Sequence, residues 1–232
     1  ARNDWSSTLP AGDNSYFYPS FTGSLVFSEL IEASWLNFGK LRAGWSQTGN
    51  DTSPHQIYDT YENTAFSGST FNGDPYFLTS LSKKNEFLKP ETKTSWEVGV
   101  EMQMFKNRFG FDVTYYNEET EDLIMPVAFG AETGVTSKIL NAGKTLNKGI
   151  EAMVNIVPVR TNDFEWGINV NFSKNENEVV ELYDGVESLQ LASAPFKATL
   201  NAMVGEKYGQ IRGTDFIYDA DGNKVVGANG LY

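Results

Sequence analysis

Apolar and polar residues alternate with a period of two in one segment after another, and this constrains the fold more than any other feature of the chain. From Trp96 to Met104 the even positions are Trp96, Val98, Val100, Met102 and Met104, with Glu97, Gly99, Glu101 and Gln103 between them. From Phe109 the odd positions carry Phe109, Phe111, Val113 and Tyr115, opposite Gly110, Asp112, Thr114 and Tyr116. Phe164, Trp166, Ile168, Val170 and Phe172 repeat the pattern against Glu165, Gly167, Asn169 and Asn171. A helix would place i and i+2 about 200° apart and scatter these sets, whereas a strand keeps each set on one face. Less regular copies run through Phe17–Phe27, Leu41–Trp45, Ile150–Ile156 and Phe196–Val204, with a last strand-like stretch at Gln210–Tyr218. The expectation is an all-β chain of about eight strands of ~9–14 residues, longer than the ~5–6 usual in soluble sheets. Ser28–Trp35 is the nearest approach to an amphipathic helix and is too short.

The connections alternate in length. Short turns are expected around Glu29–Ser34, at Lys106-Asn107, across Pro158–Asp163 and near Gly205–Lys207. Between them lie long stretches from Asn50 to Thr92, from Asp122 to Ala142 and from Asn175 to Pro195. In an antiparallel up-and-down sheet alternate connections share an end, so one end is trimmed and the other carries long loops, as in outer-membrane barrels. A 10-residue strand spans ~33 Å, or about 25 Å of height when tilted ~40°, which matches the apolar band of such a barrel. Tyr16, Tyr18, Trp35, Trp96, Phe105, Tyr115, Tyr116, Phe164 and Trp166 sit near strand ends, where interfacial girdles are built, although aromatics are common in any sheet.

Composition removes several function classes. With 30 acidic and 18 basic side chains the formal charge is −12, against the basic face that nucleic acid requires. There is no cysteine and a single histidine, His55, so thiol chemistry, cysteine-held zinc and any histidine-paired site are excluded. No apolar run approaches the ~18 residues of a transmembrane helix. The start, Ala1–Trp5, is neither a signal peptide nor a lipid anchor. A membrane β-barrel passes all these tests, because its strands are only half apolar.

Candidate sites are few. Glu118, Glu119, Glu121 and Asp122 form an acidic cluster, read as a solvated charge run rather than a glycosidase carboxylate pair. Asp219-Ala220-Asp221-Gly222-Asn223 opens like a calcium loop, but position twelve is Gly230 instead of a bidentate Glu, and Asp-Gly between Tyr218 and Val225 suits a hairpin. His55 lies in the longest loop and is expected at the surface. That loop also holds Tyr58, Tyr61, Phe66, Phe71, Tyr76 and Phe77, which could stack on sugar rings or a lid protein, or pack the loop against itself. No glycine-rich phosphate loop is present. The residues thus give no catalytic, metal or cofactor site, and no assigned substrate contacts; an enzyme is not expected.

Several words of the sequence resemble the SusC/RagA family of TonB-dependent outer-membrane transporters. They are Leu41-Arg42-Ala43-Gly44-Trp45-Ser46-Gln47-Thr48-Gly49-Asn50, Leu88-Lys89-Pro90-Glu91-Thr92-Lys93-Thr94-Ser95-Trp96-Glu97-Val98-Gly99, and Asp112-Val113-Thr114-Tyr115-Tyr116-Asn117. Phe105-Lys106-Asn107-Arg108, Asn141-Ala142-Gly143, Asn147-Lys148-Gly149-Ile150-Glu151 and Phe164-Glu165-Trp166 with Asn171–Asn175 complete the series, which covers nearly the whole chain in order. The resemblance implies a barrel of 22 strands with an N-terminal plug, and at this strand density the strands and their connections alone need roughly 640 residues. Residues 1–232 are therefore expected to be a partial transmembrane β-barrel, about a third, from its later part, lacking plug, TonB box and signal peptide. The implied function is import of a nutrient, a glycan fragment or oligopeptide, across the outer membrane of a Gram-negative cell. The implied partners are a SusD-like surface lipoprotein, the TonB complex and outer-membrane lipid. The rival reading is a soluble carbohydrate-binding β-sandwich, which also alternates and exposes aromatics.

Overall fold

A computed structural model describes residues 1–63 and 70–227; Phe66 and Gly230 lie outside the described residues. An N-terminal hairpin pairs β1 (Arg2–Trp5) with β2 (Ser15–Tyr18), and the chain continues into β3 (Ser20–Val26) and β4 (Leu36–Asn50). The long connection that follows holds β5 (Tyr61–Asn63), β6 (Phe77–Thr79) and β7 (Ser82–Lys83). Then come β8 (Glu91–Met104), β9 (Phe109–Glu121), β10 (Ile124–Ala128), β11 (Ser137–Asn141), β12 (Lys144–Arg160) and β13 (Glu165–Glu181). The last part holds β14 (Ser188–Ser193), β15 (Thr199–Met203) and β16 (Gln210–Arg212). Helical structure among the described residues is confined to single 3-10 turns such as Phe27–Glu29, which overlaps the start of the Ser28–Trp35 stretch where no full helix was expected.

Six strands form one antiparallel sheet in the order β13-β12-β9-β8-β4-β3. It is an open up-and-down meander, since each of these strands pairs with the next long strand in sequence. The short connections, residues 27–35, 105–108 and 161–164, share one end, and the long ones, 51–90 and 122–143, share the other. This is the expected loop asymmetry. The turn after β8 puts Phe105, Lys106 and Asn107 all at positive φ, and the Lys106 and Asn107 N–H groups donate to Asn37 Oδ1 at 2.7 and 3.3 Å. Pro158, expected in a turn, instead falls at a register shift within β12, where its missing N–H breaks no ladder bond.

The strands run further than the alternation shows. At the loop end β8 begins at Glu91, β12 at Lys144, and β13 continues to Glu181. Along Glu91–Ser95 of β8 and Asn117–Glu121 of β9 backbone pairing persists although both faces have become polar.

Two strands expected in the meander lie outside it. Phe196–Val204 was expected to pair along β13, yet β15 pairs with β14 and β16 in a separate three-stranded sheet. Its turn lies at the loop end, not with the other short turns: Val204 bridges Val179, the Val179 N–H donates to Glu206 O at 2.9 Å, and the Gly205 N–H donates to Val179 O at 2.8 Å. The cause is local. Ser188–Ser193 offers a partner a few residues away, at small loop-closure cost. The apolar parity of β15 then buries Ala202 (1% exposed) against Val179 and Leu182, with Leu189 and Leu191 of β14 packed over them. Gln210–Tyr218 shrinks to Gln210–Arg212, followed by a Tyr218–Lys224 bridge. The meander therefore has six long strands rather than eight. A sandwich would cover its apolar face with a second sheet, and no described strand does so.

Candidate functional site

The register fixes what each face of the meander carries. One row of paired residues reads Leu25, Leu41, Val100, Val113, Ala152 and Phe172 from β3 to β13. Towards the turns the next rows hold Met102, Phe111, Val154 and Val170, then Met104, Phe109, Ile156 and Ile168. Towards the loops comes Gly23, Ala43, Val98, Tyr115, Ile150 and Lys174, then Phe21, Trp45, Trp96, Asn117, Lys148 and Glu176. The apolar zone ends two rows earlier at β13 than at β3. Hydrogen-bonded rows of a tilted sheet cross a membrane obliquely, so this stagger is the sequence record of strand tilt.

Aromatic residues close the zone at both limits. Phe21 and Trp45 stack with ring centroids 6.0 Å apart, and Trp96 meets Tyr115 at 5.4 Å. At the turn end Trp35 meets Phe105 at 6.4 Å. From Trp96 to Phe105 along one strand is about 30 Å at ~3.3 Å per residue, or about 23 Å of height at ~40° tilt. That is the thickness of an outer-membrane apolar band.

The opposite face is polar and cross-braced. Arg42 Nη1 donates to Asp112 Oδ2 at 2.9 Å, and Nη2 reaches Asp112 Oδ1 and Thr114 Oγ1. To do so the guanidinium crosses β8 at Gly99, where a Cβ would lie 2.6 Å from Arg42 Nε. Tyr116 does the same over β12: its hydroxyl donates to Asn175 Oδ1 at 2.8 Å, across Gly149. Lys40 pairs with Glu101 at 3.1 Å and Lys93 with Glu118 at 2.9 Å. Further along, β13 presents Asn169, Asn171, Ser173, Asn175 and Asn177 to the same side. A face of ion pairs and amides suits water, a polar solute or another polar protein surface. Gly99 and Gly149 were not singled out from sequence, although glycine inside a strand marks close approach by a neighbour.

A Gly149→Val substitution should weaken the sheet, because its Cβ would stand 2.5 Å from both the Lys174 carbonyl and the Tyr116 hydroxyl. Gly167→Val, with open space around it, is the control. Heat-modifiable migration on detergent gels should show the Gly149 variant of the whole protein unfolding at lower temperature than the Gly167 variant.

The acidic cluster does not converge. Glu118 lies on the polar face with Lys93 and Asn147, while Glu119 and Glu121 point the other way and both meet Lys144 at 2.8 Å. Asp219 is occupied by its own turn: Oδ1 accepts the Asp221 and Asn223 N–H groups at 2.9 and 2.8 Å, and these bonds, led by that of Asn223, hold its carboxyl below the usual range. These bonds are those of the expected hairpin turn, which the Tyr218–Lys224 bridge closes. His55 sits in an exposed turn at positive φ. In the long loop Tyr58, Tyr61, Phe71 and Phe77 are 65–73% exposed, so these aromatics do not pack the loop against itself.

Comparison with known proteins agrees with this geometry. Residues 1–230 match the family described as TonB dependent receptor-like, beta-barrel. A TonB-dependent receptor of Formosa agariphila is 31% identical over 240 residues, covering 99% of this chain and 24% of the relative. The TonB-dependent receptor SusC of Bacteroides thetaiotaomicron is 32% identical over 166 residues, covering 68% of this chain and 16% of the relative. Among solved structures, the RagAB peptide transporter superposes with a TM-score of 0.76 at 22% identity, over 96% of this chain and 26% of that one. The chain thus spans about a quarter or less of the relatives it matches. An open meander with an aromatic-bounded apolar face and a cross-braced polar face is a segment of such a wall, and the chain belongs to the β-barrel family of TonB-dependent receptors.

Proposed function

We propose that residues 1–232 form part of the barrel wall of a nutrient importer in the outer membrane of a Gram-negative cell. The observation that carries this reading is the two-faced sheet, with an apolar band of membrane height on one side and ion pairs and amides on the other. The apolar side meets lipid and the polar side faces the lumen. In this reading the plug and TonB box belong to other parts of the whole protein. Uptake is driven through the TonB complex, and a SusD-like surface lipoprotein sits over the long loops. The cargo is a glycan fragment or an oligopeptide, the range suggested by the likeness to SusC and RagA, and the protein is no enzyme.

Fractionation of cells that carry the whole gene tests the location, and growth on purified glycans or peptides with and without TonB tests the transport. The expected result is recovery in the outer-membrane fraction and growth on some substrate that is lost when either the transporter or TonB is deleted. Recovery in the soluble fraction would favour the carbohydrate-binding sandwich. Hydrolysis of a glycan or peptide by the pure protein would make it an enzyme.

A further inference from the structure

We propose that the seam between the two long loops is a saccharide-docking site, with Tyr61 as its stacking platform and Asp59 and Lys83 as its polar anchors. This deepens the importer reading and rests on it, because it places a glycan contact at the loop end of the wall.

The seam is a cavity of about 340 Å³, within the range of small-ligand sites. Asp59, Thr60 and Tyr61 form one side, Thr79, Ser80 and Lys83 another, and the Gly134–Val135 corner of the second loop closes it. Three braces hold these pieces. First, β7 pairs in parallel with β11, Ser82 opposite Ser137 and Lys83 opposite Lys138. Second, the Thr136 N–H donates to Leu81 O at 2.8 Å. Third, Asp59 Oδ1 accepts the Lys84 N–H at 2.8 Å, while Oδ2 lies 3.5 Å from Lys83 Nζ. The cavity is therefore made by secondary structure joining two loops that are far apart in sequence.

Its chemistry selects a ligand class. Four hydroxyl-bearing residues, Thr60, Tyr61, Thr79 and Ser80, line it, and each hydroxyl can both donate and accept. Sugar hydroxyls have the same dual capacity. Asp59 is a carboxylate at neutral pH, as an ordinary aspartate is, so it is an acceptor for paired sugar hydroxyls, and the Lys84 N–H and Lys83 hold it in place. Tyr61 is 73% exposed and offers an aromatic face to the C–H side of a pyranose. A peptide would call for apolar side-chain pockets, and Val135 is the one aliphatic side chain in this lining.

The test uses the whole transporter in detergent, with saturation-transfer NMR against cello-, laminari-, manno- and xylo-hexaose and a pool of tetrapeptides. At least one hexasaccharide should bind, and Tyr61→Ala or Asp59→Asn should weaken it about tenfold. Tyr58→Ala, an exposed aromatic outside the cavity, should leave binding unchanged. Undiminished binding in both cavity variants, no binding of any hexasaccharide, or binding of the tetrapeptides alone would overturn the site. Uptake separates the two levels: failure of this site leaves TonB-dependent growth intact, whereas failure of the importer reading abolishes TonB dependence in the unmodified protein.

Discussion

Val100→Arg in the whole transporter should block assembly of the barrel, at a cost of about 2–4 kcal/mol if the position is near the bilayer midplane. Val100 stands between Leu41 and Val113 in the row that runs from Leu25 to Phe172, four residues from Trp96 and five from Phe105, so it sits at mid-height of the band. Ile168→Arg should cost about as much. The rows cross the band obliquely, so on β13 the band runs from Phe172 to Trp166 and Phe164, and Ile168 lies at its middle. Asn169→Arg, one residue away on the polar face, should be tolerated. Glu101→Arg is a harsher control on that face, because it would set a second cation beside Lys40, now paired to Glu101 at 3.1 Å. Folded yield after reconstitution into lipid, read by heat-modifiable migration, measures all four. Equal losses at Val100 and Asn169 would remove the assignment of the apolar face to lipid.

What the sequence disclosed depended on whether a physical signal reached single residues. In Trp96–Met104 and Phe109–Tyr115 one face meets an apolar medium and the other a polar one, so alternation marks the strands directly. From Glu91 to Ser95 and from Asn117 to Glu121 the same strands leave that medium. Both faces are then polar, and the backbone ladder continues with no pattern to betray it. Alternation also says only that a face is apolar, not what covers it. Leu200, Ala202 and Val204 alternate as a lipid-facing strand does, yet Ala202 is buried under Val179 and Leu182 in a small dry core at the loop end. The bridges of Arg42 over Gly99 and of Tyr116 over Gly149 depend on the register of three strands at once. Only the glycines hinted at them. Asp59 and the Gly134–Val135 corner line one cavity because β7 joins β11 and Thr136 bonds Leu81, links that no local pattern announces.

Expressed alone in buffer without lipid or detergent, residues 1–232 should aggregate instead of yielding a soluble monomer. The sheet leaves Phe21 71%, Phe172 55%, Trp166 52%, Val170 50% and Val98 46% exposed on one face. Contiguous apolar area of this kind exceeds the few hundred Å² that soluble monomers tolerate. Both edges are also largely open: among the described residues β3 pairs with β4 alone, and along β13 the side away from β12 is met at its loop end by the segment Val204–Tyr208. Unpaired edges next to an apolar face template intermolecular pairing, and a closed barrel removes them. The ion pairs of the polar face cannot offset this, since Lys40–Glu101 and Lys93–Glu118 are partly exposed and worth about 0–1 kcal/mol each. Size-exclusion chromatography and thermal unfolding decide the matter. The expected result is void-volume aggregate, with β-rich monodisperse material only when detergent or lipid is supplied. A cooperatively unfolding monomer in plain buffer would mean that this face is buried within the chain itself, and the lipid-facing wall would have to be abandoned.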